Sequence, residues 1–508
     1  MVTITQYFEQ AELSLAAYSL NLQSGMSGSN QVTAYIDALK LAGMSAQQAA
    51  DFANNYTVVN QSPDTPSGFS ATVFQNNITG QYEFAIRGST PTLTDWIGTN
   101  FGEIGVYGIA ITQALDMFNY VLRVTSASGT PIPQFSFDNS TQSIQTTTGY
   151  GTGLLQGATF DVSGDSLGGQ LALILGRLAP NLVQNIVTTN APGFDMAGTS
   201  KSTEWLFTQL SQALSTFPSL SSIAPDWSNV IADSTNLVVP GDVVHEIGTV
   251  PGTQTTIFST GEYGSVFDAH SIVMETDSLA VYNLFAKLFP PLNTDPNGMQ
   301  TITNILNAES NIAAKSLEPA ITELSKLFGV TNTTFNSNQF DLYKAIDGFN
   351  GVILDILEHN APYVIYPTIQ SLVGMDAATL VADAQTDIAY RYALVNLNPF
   401  VATGMDYSGF DTNGELDLNT PAAPTGKLTE QYLNDRAAML QAKITADMSD
   451  ASIAISGSME AAWAQQDSAE VVYVDKSTTG TTEIYQGNSY NLDTSAAEAG
   501  ITLYQTNS

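Results

Sequence analysis

Hydrophobic positions in the first 290 residues alternate between strand-like and helical spacing. Residues 69–89, FSATVFQNNITGQYEFAIRGS, alternate on both sides of an Asn-rich turn, which predicts a β-hairpin. Apolar residues at helical spacing in YGIAITQALDMFNYVLRVTSA (107–127) predict a helix to about residue 125. ATFDVSG (158–164) then predicts a buried strand, and LGGQLALILGRLAP (167–180) the helix that follows it.

Two further short apolar runs, NIVTTNAPGFD (185–195) and TNLVVPGD (235–242), predict strands that end in loops. Alternation of strands with helices is typical of a mostly parallel sheet covered by helices on both faces, so the predicted fold class is α/β. Ligands of such sheets bind beyond the carboxyl ends of the strands. Candidate functional residues are therefore expected in the loops that follow these strands.

The Pro-, Asn- and Gly-rich stretch LFPPLNTDPNG (288–298) predicts the end of this domain, at about residue 295. In this predicted domain, 1–295, residues 196–234 have apolar residues along one face of a helix. This helix either packs on the sheet or forms a cap over the site. TLTDWIGTN (92–100) is the alternative candidate for a lid. Residues 296–460 are predicted to be mainly helical, and 461–508 to contain a β-hairpin tail. We find no internal repeat.

Charge and composition exclude several classes of function. The chain has 48 acidic and 14 basic side chains and a formal charge of −34, so a nucleic acid would be repelled. The absence of cysteine excludes disulfides, thiolate zinc sites and a cysteine nucleophile, and three histidines disfavour a multi-histidine zinc centre. No run is long and apolar enough to predict a transmembrane anchor, and no Sec-type signal is recognisable at residues 1–22.

The turn Gly164-Asp165-Ser166-Leu167-Gly168 fits the G-x-S-x-G pattern of a nucleophile elbow. A sharp strand-to-helix turn needs small flanking residues, and it projects the central serine while the N–H of Leu167 is free to donate to an oxyanion. The alternative is a glycine-rich turn without chemistry, which accounts for the glycines but not for a serine at the apex. Ser166 is the candidate nucleophile.

Three histidines compete for the role of base. His270 follows both Ser166 and Asp242, as the serine, acid, histidine order of α/β-hydrolases requires. His359 ends a helical pattern, where a histidine commonly caps carbonyls, and His245 is too close in sequence to Asp242 to be its expected partner, although it is a candidate site-lining residue. Asp242 is the favoured acid, and Asp195 and Asp268 remain alternatives.

These segments resemble the lipase class 3 family of α/β-hydrolases. AIRGSTPTLTDWIGTN (85–100) resembles its Arg-Gly-Ser/Thr segment and Trp-containing lid, SGDSLGGQLA (163–172) its elbow, and VVPGDVVHEIG (238–248) its acid loop. The resemblance implies an α/β-hydrolase fold, a triad of Ser166, Asp242 and His270, an oxyanion hole made by Ser89 with Leu167, and Trp96 at the site. The family usually has His where this chain has Asp165, a carboxylate that disfavours a nearby oxyanion unless it is paired or protonated.

The acidic, cysteine-free composition is more similar to bacterial lipases exported by type I secretion, which carry glycine-rich calcium repeats downstream. This resemblance implies secretion by a non-Sec route with the export signal outside this chain; a cytoplasmic location stays open. The loop DYSGFDTNGELDLN (406–419) is a candidate for structural calcium, although a solvated Asx-rich loop is the simpler interpretation and the metal ligands are unknown. No organic cofactor is required.

The sequence therefore predicts an enzyme, a carboxylic-ester hydrolase of the triacylglycerol lipase or esterase type. It would act on acyl lipids through an acyl-enzyme intermediate, with transient contact to a lipid interface. The alternatives are a phospholipase A, a polyester or small-ester hydrolase, or a peptidase or acyltransferase on the same triad. A non-catalytic module of a large secreted surface protein is the alternative from another class.

Overall fold

The computed structural model describes most of the chain. The described residues are 2–88, 108–194, 203–215, 217, 223–224, 226–258, 270–310, 316–331, 339–360, 363, 365–448, 471–476, 482–487 and 502–504.

Helices and strands alternate over the described part of residues 2–288. The strands here are β1 (Tyr56–Gln61), β2 (Ala71–Asn76), β3 (Tyr82–Ile86), β4 (Pro131–Asp138), β5 (Ser143–Tyr150), β6 (Phe160–Asp165), β7 (Val183–Thr189), β8 (Ser234–Val238) and β9 (Thr253–Thr256). The helices are α1 (Ile4–Ala16), α2 (Val32–Leu41), α3 (Ala46–Asn55), α4 (Ile111–Thr125), α5 (Leu167–Leu178), α6 (Thr203–Leu214), α7 (Ser228–Asp233) and α8 (Ile272–Leu288).

The described residues form a seven-stranded sheet in the order β1-β2-β3-β6-β7-β8-β9. β1, β2 and β3 are antiparallel neighbours, and β3, β6, β7, β8 and β9 run parallel. The 69–89 hairpin is present as β2 and β3, while β4 and β5 form a separate antiparallel pair. A mostly parallel sheet flanked by helices, with a strand-serine-helix turn at its centre, is an α/β-hydrolase fold, as predicted.

Helices cover both faces of this sheet because its buried strands are apolar on both sides. Adjacent residues of one strand belong to different cores: Phe84 packs with α4 and α5, whereas Ala85 packs with α1 and α3. The period of two along a pleated strand produces this division. Both cores thereby fix the carboxyl end of β6, where the elbow lies.

The described part of residues 196–234 contains α6 and α7. Apolar residues of both helices belong to the core that also includes α5. Arg177 of α5 is buried beneath them, where it donates 2.9 Å to Glu204 and lies 4.0 Å from the ring centre of Phe207. These residues pack as an ordinary helical layer. A cap role for residues 196–234 stays a prediction.

Helices dominate after residue 290. A 3₁₀ turn (Pro290–Thr294) precedes α9 (Gly298–Glu309), α10 (Glu318–Phe328), α11 (Gln339–Asp347), α12 (Asn350–Leu357), β10 (Thr368–Ser371), α13 (Ala377–Thr386), α14 (Ile388–Asn396), β11 (Phe400–Thr403), α15 (Glu430–Met448), β12 (Val471–Lys476), β13 (Thr482–Gly487) and β14 (Thr502–Tyr504). β12 and β13 form an antiparallel hairpin, which β14 extends on the other side of β12.

The chain divides into two compact units. One comprises residues 1–283 and 334–346, and the other residues 284–333 and 347–508. In the second unit, Lys443 lies 3.6 Å from the buried carboxylate of Glu309 and 3.1 Å from Asp447. No helix of the described residues is both long and apolar enough to cross a bilayer.

A buried carboxyl on β3 predicts an unusual dependence of stability on pH. Glu83 is only 6% exposed and accepts a 2.9 Å hydrogen bond from Gln10 of α1. Burial raises the pKa of Glu83 to about 8, against the opposing effect of the Gln10 hydrogen bond and with some help from the charge of Asp161. The folded protein therefore keeps this proton between about pH 4.5 and 8, where the unfolded chain has lost it, so stability falls with rising pH across this range.

Substituting Glu83→Gln removes this penalty while keeping an oxygen that accepts from Gln10. We expect the free energy of unfolding to rise by about 2 to 3 kcal/mol at pH 7 relative to the native protein, and by little near pH 4. Urea unfolding at several pH values measures the difference. Asp51→Asn, which removes an exposed carboxylate of the same unit, is the control. A Glu83→Gln effect that does not vary with pH contradicts the prediction.

Candidate active site

The candidate nucleophile lies at a strained turn between β6 and α5. Ser166 has φ 56° and ψ −127°, a left-handed conformation that non-glycine residues rarely adopt, and its side chain is 6% exposed. Its N–H donates to the carbonyl of Thr189 (2.9 Å), and its carbonyl accepts from Gly169 (2.9 Å). Hydrogen bonds to β7 and α5 thus maintain the strained geometry of a nucleophile elbow.

The two glycines of the pattern are required by close backbone packing. A Cβ atom on Gly164 would lie 2.4 Å from the backbone of Gly168, and one on Gly168 would lie 2.4 Å from the carbonyl oxygen of Ile86. A side chain at either position would push α5 away from β3 and β6. The glycines therefore allow the helix to begin directly after the serine, with its N-terminus at the sheet edge.

Asp242 and His270, the candidate acid and base, lie within hydrogen-bond distance of each other. Asp242, fully buried in the loop after β8, lies with Oδ2 3.1 Å from Nδ1 of His270. Its other oxygen, Oδ1, accepts a 2.9 Å hydrogen bond from the N–H of Val244. One carboxylate oxygen is thus fixed by backbone, and the other orients the imidazole that precedes α8.

His245 lies closer to the candidate acid than its sequence position suggested. Its Nδ1 atom is 3.6 Å from Oδ2 of Asp242, which is longer than a hydrogen bond, so His270 at 3.1 Å is the closer partner. Asp242 therefore lies between two imidazoles. His245 borders the site, and the hydrogen bond to Asp242 belongs to His270.

Asp165, where the resembling family has histidine, is buried and paired. Tyr18, just after α1, donates a 2.8 Å hydrogen bond to Oδ2, and the hydroxyl of Thr189 lies 3.5 Å from Oδ1. Burial raises the pKa of Asp165 to about 6, although the charge of His270 and the hydrogen bond from Tyr18 oppose the rise. Asp165 and His270 interact electrostatically, so the imidazole and the elbow belong to one site.

A third buried carboxyl lies behind the imidazole. Glu275, in the first turn of α8, accepts a hydrogen bond from Asn190, whose own Oδ1 accepts from the N–H of Val239 (3.0 Å). Burial, and then the charges of Asp165 and Asp242, raise the pKa of Glu275 well above its ordinary value. Glu275 therefore favours its protonated form, and its contact with Asn190 ties α8 to the end of β7.

His270 itself is buried but favours its charged form. Burial lowers the pKa of the imidazole, but the hydrogen bond to Asp242 and the charges of Asp165 and Asp242 outweigh it, so the pKa lies above its ordinary value. An imidazolium stabilised in this way is what a general base needs after it has taken a proton from a nucleophile.

Some predicted residues lie outside the described part of the chain. These are Ser89 and Trp96, and the alternative acids Asp195 and Asp268. Leu167 is the first residue of α5, where the N–H has no partner within the helix and points to the N-terminal end. Its role as an oxyanion donor next to Ser166 stays a prediction.

The loop at 406–419 binds its own backbone. Asp406 accepts from the N–H of Ser408 (2.9 Å) and Asp411 from the N–H of Leu416 (2.8 Å). In the part of the chain that the structure describes, no group of three or more histidines and carboxylates is arranged to hold a metal ion. Structural calcium stays a prediction.

Sequence reasoning did not find Tyr18, Glu275 or Asn190. Tyr18 lies 147 positions before Asp165, and nothing in its surrounding sequence indicates a partner at the elbow. Glu275 was detectable only as a carboxyl within the apolar helical pattern of residues 272–288, a feature that does not reveal what it contacts.

Comparison with known proteins gives similarities of fold only. No protein-family model matches the chain, and no curated protein sequence matches it. Among solved structures, it is similar to the Lip2 lipase of Yarrowia lipolytica (17% identity over 51% of this chain and 80% of that chain, TM-score 0.26). It is also similar to lipase II from Rhizopus niveus (13% identity over 51% of this chain and 81% of that chain, TM-score 0.27). A further similarity is to a fungal lipase (12% identity over 54% of this chain and 96% of that chain, TM-score 0.29).

Proposed function

We propose that the protein is a serine hydrolase that cleaves carboxylic esters, with Ser166, His270 and Asp242 as its triad. The observation that carries the proposal is the 3.1 Å contact between Asp242 and His270, in a site that also contains a strained serine elbow. A strained serine before a helix has a structural explanation by itself. Its combination with an imidazole oriented by a buried carboxylate fits nucleophilic catalysis.

The reaction proceeds in two balanced steps. Oγ of Ser166 bonds to the ester carbonyl carbon while Nε2 of His270 takes its proton, and the proton then passes to the leaving alkoxide as the C–O bond breaks. Water then attacks the carbonyl carbon of the acyl-enzyme and gives a proton to His270. The bond between this carbon and Oγ of Ser166 breaks, His270 returns the proton to Oγ, and the carboxylic acid leaves. The N–H groups of Leu167 and Ser89 would stabilise the oxyanion of each tetrahedral intermediate.

The proposed substrates are acyl lipids. This part of the proposal is supported by the sequence resemblance of residues 85–100, 163–172 and 238–248 to class 3 lipases. Export by a non-Sec route and structural calcium belong to the same proposal. Rates with and without added calcium, on substrates below and above their aggregation limit, test calcium use and interfacial contact.

Labelling with a fluorophosphonate tests the proposed function directly, because only an activated serine reacts readily. We expect a single adduct that peptide mapping assigns to Ser166, together with turnover of p-nitrophenyl esters. A rate that rises with acyl length favours a lipase, and preference for short acyl groups a small-ester esterase. Absence of both labelling and turnover contradicts the proposal and favours a non-catalytic module.

A further inference from the structure

We infer that Tyr18 is a positioning residue of this site: it holds the Asp165 carboxylate beside the elbow as a second anion for the His270 imidazolium. The inference rests on the proposed function, because it assigns Asp165 and Tyr18 a part in setting the pH range over which His270 acts as base. The resembling family, with histidine in place of Asp165, has no carboxylate at this position.

Three groups converge at Gly88, at the end of β3. A Cβ atom built on Gly88 would lie 2.4 Å from Oη of Tyr18, 2.6 Å from the carbonyl oxygen of Asp165 and 3.3 Å from Cβ of Ser166. The Tyr18 hydroxyl is therefore packed between the backbone at the end of β3 and the elbow itself. Its 2.8 Å hydrogen bond to Asp165 is formed within this contact.

Tyr18 can act only as a donor in this contact. Burial and the charge of Asp165 raise the pKa of the Tyr18 phenol well above its ordinary value, so it stays protonated. A hydrogen bond donated to a carboxylate favours the ionised form of that carboxylate. Tyr18 thus opposes the burial of Asp165, which is 3% exposed and would otherwise hold its proton more tightly.

The groups that act electrostatically around His270 come from several elements. In the described part of the chain, Asp242 after β8 and Asp165 at the end of β6 act on His270 directly. His245 borders Asp242, and the charges of Asp165 and Asp242 act on Glu275 of α8. Tyr18 after α1 donates to Asp165, and Arg87 after β3 acts on Tyr18. Arg87 lies 3.0 Å from Asp64, which offsets its charge. Asp165 and Asp242 are the two carboxylates whose charges act on the imidazole of His270.

The sign of the effect follows from the charge of the Asp165 carboxylate. An ionised Asp165 favours the protonated form of His270 and raises the pKa of the imidazole. The Asp165 charge therefore holds a proton on His270 and moves the acid limb of kcat/KM to higher pH. Removing that charge makes His270 available as a base at lower pH.

The test compares Asp165→Asn and Tyr18→Phe with the native chain. We expect Asp165→Asn to move the midpoint of the acid limb down by about one pH unit. Tyr18→Phe should move it in the same direction by less, since Asp165 then keeps its proton to higher pH. The double variant should match Asp165→Asn alone, because Tyr18 acts through Asp165.

Tyr35→Phe is the matched control, since Tyr35 of α2 is fully buried in the core that covers the same sheet face and its hydroxyl makes no hydrogen bond to the described residues. It should leave the midpoint unchanged. If Tyr18 has a purely structural role, Tyr18→Phe lowers the plateau of kcat/KM but does not move the midpoint of the acid limb. That result overturns the inference. An unmoved midpoint in Asp165→Asn, or additive shifts in the double variant, also overturns it.

NMR titration of the imidazoles gives a readout independent of catalysis. The chain has three histidines, so His245→Gln and His359→Gln variants assign the His270 signal. We expect the His270 pKa to fall in Asp165→Asn and, by less, in Tyr18→Phe, and to stay in Tyr35→Phe. A native chain without turnover or labelling refutes the proposed function, and the His270 shifts then decide separately whether the Tyr18–Asp165 coupling exists. A His270 pKa that is the same in Asp165→Asn as in the native chain overturns the inference.

Discussion

Replacing Ser166 with alanine should reduce kcat/KM for ester hydrolysis by about 10⁶-fold. The substitution removes the only atom that bonds to the acyl group in the proposed reaction, while the oxyanion donors remain. Alanine and serine are both non-glycine residues without a branched Cβ, so the φ of 56° is no more strained in the variant and the fold should be retained. The measurement is the initial rate on a p-nitrophenyl ester of the preferred acyl length, with matched amounts of both proteins.

Ser163 offers a matched control on the same strand. It is 1% exposed, and its Oγ makes no hydrogen bond to the described residues. Ser163→Ala should therefore keep both the rate and the fluorophosphonate adduct. If Ser166→Ala keeps more than about one hundredth of the native rate, the nucleophile is another group.

The elbow was predictable from sequence because its determinants are local. A strand, a G-x-S-x-G turn and a helix lie in consecutive residues, and the glycines at 164 and 168 are needed for contacts within this same unit and with β3. The pairing of Asp242 with His270 was predictable from chain order and from the rule that functional loops follow the strands. The predicted partners lie 3.1 Å apart.

The environment of the elbow was not predictable, because it is formed by residues distant in sequence. Asp165 alone implies a carboxylate that opposes the oxyanion, but Tyr18 and Thr189 donate to it. The donor Tyr18 comes from the segment after α1, which contains no recognisable functional motif. Charge compensation of this kind is a property of tertiary packing, and a pattern of spacing does not contain it.

Hydrophobic periodicity located the long helices better than their ends. Within the predicted helical region 296–460, residues 304–328 have helical apolar spacing but belong to two helices, α9 and α10. Residues 341–360 likewise belong to α11 and α12. Apolar spacing continues across both breaks, so periodicity alone does not reveal them. The β4–β5 hairpin was missed because Pro131 and Pro133 lie in one strand, and the other is polar and mostly exposed.

Substituting Asp242→Asn should reduce kcat by about 10⁴-fold with a much smaller change in KM. The N–H of Val244 donates to Oδ1, so the asparagine carbonyl will occupy that position and its NH₂ group will face His270. An amide donor at Nδ1 forces the imidazole proton onto Nε2, the atom that must accept the Ser166 proton. The wrong tautomer is thereby stabilised in a site whose geometry is retained.

His245 provides the control for this prediction, since its Nδ1 is 3.6 Å from the same carboxylate oxygen. His245→Gln should lower kcat by less than about tenfold, because it borders the acid without relaying the proton. The Ser166→Ala and Asp242→Asn double variant should be no slower than Ser166→Ala, since triad members act as a unit. If His245→Gln costs as much as Asp242→Asn, or Asp242→Asn is nearly as fast as the native chain, the assignment of Asp242 to His270 is refuted. A large loss confined to Asp242→Asn identifies the buried carboxylate as the group that selects the His270 tautomer.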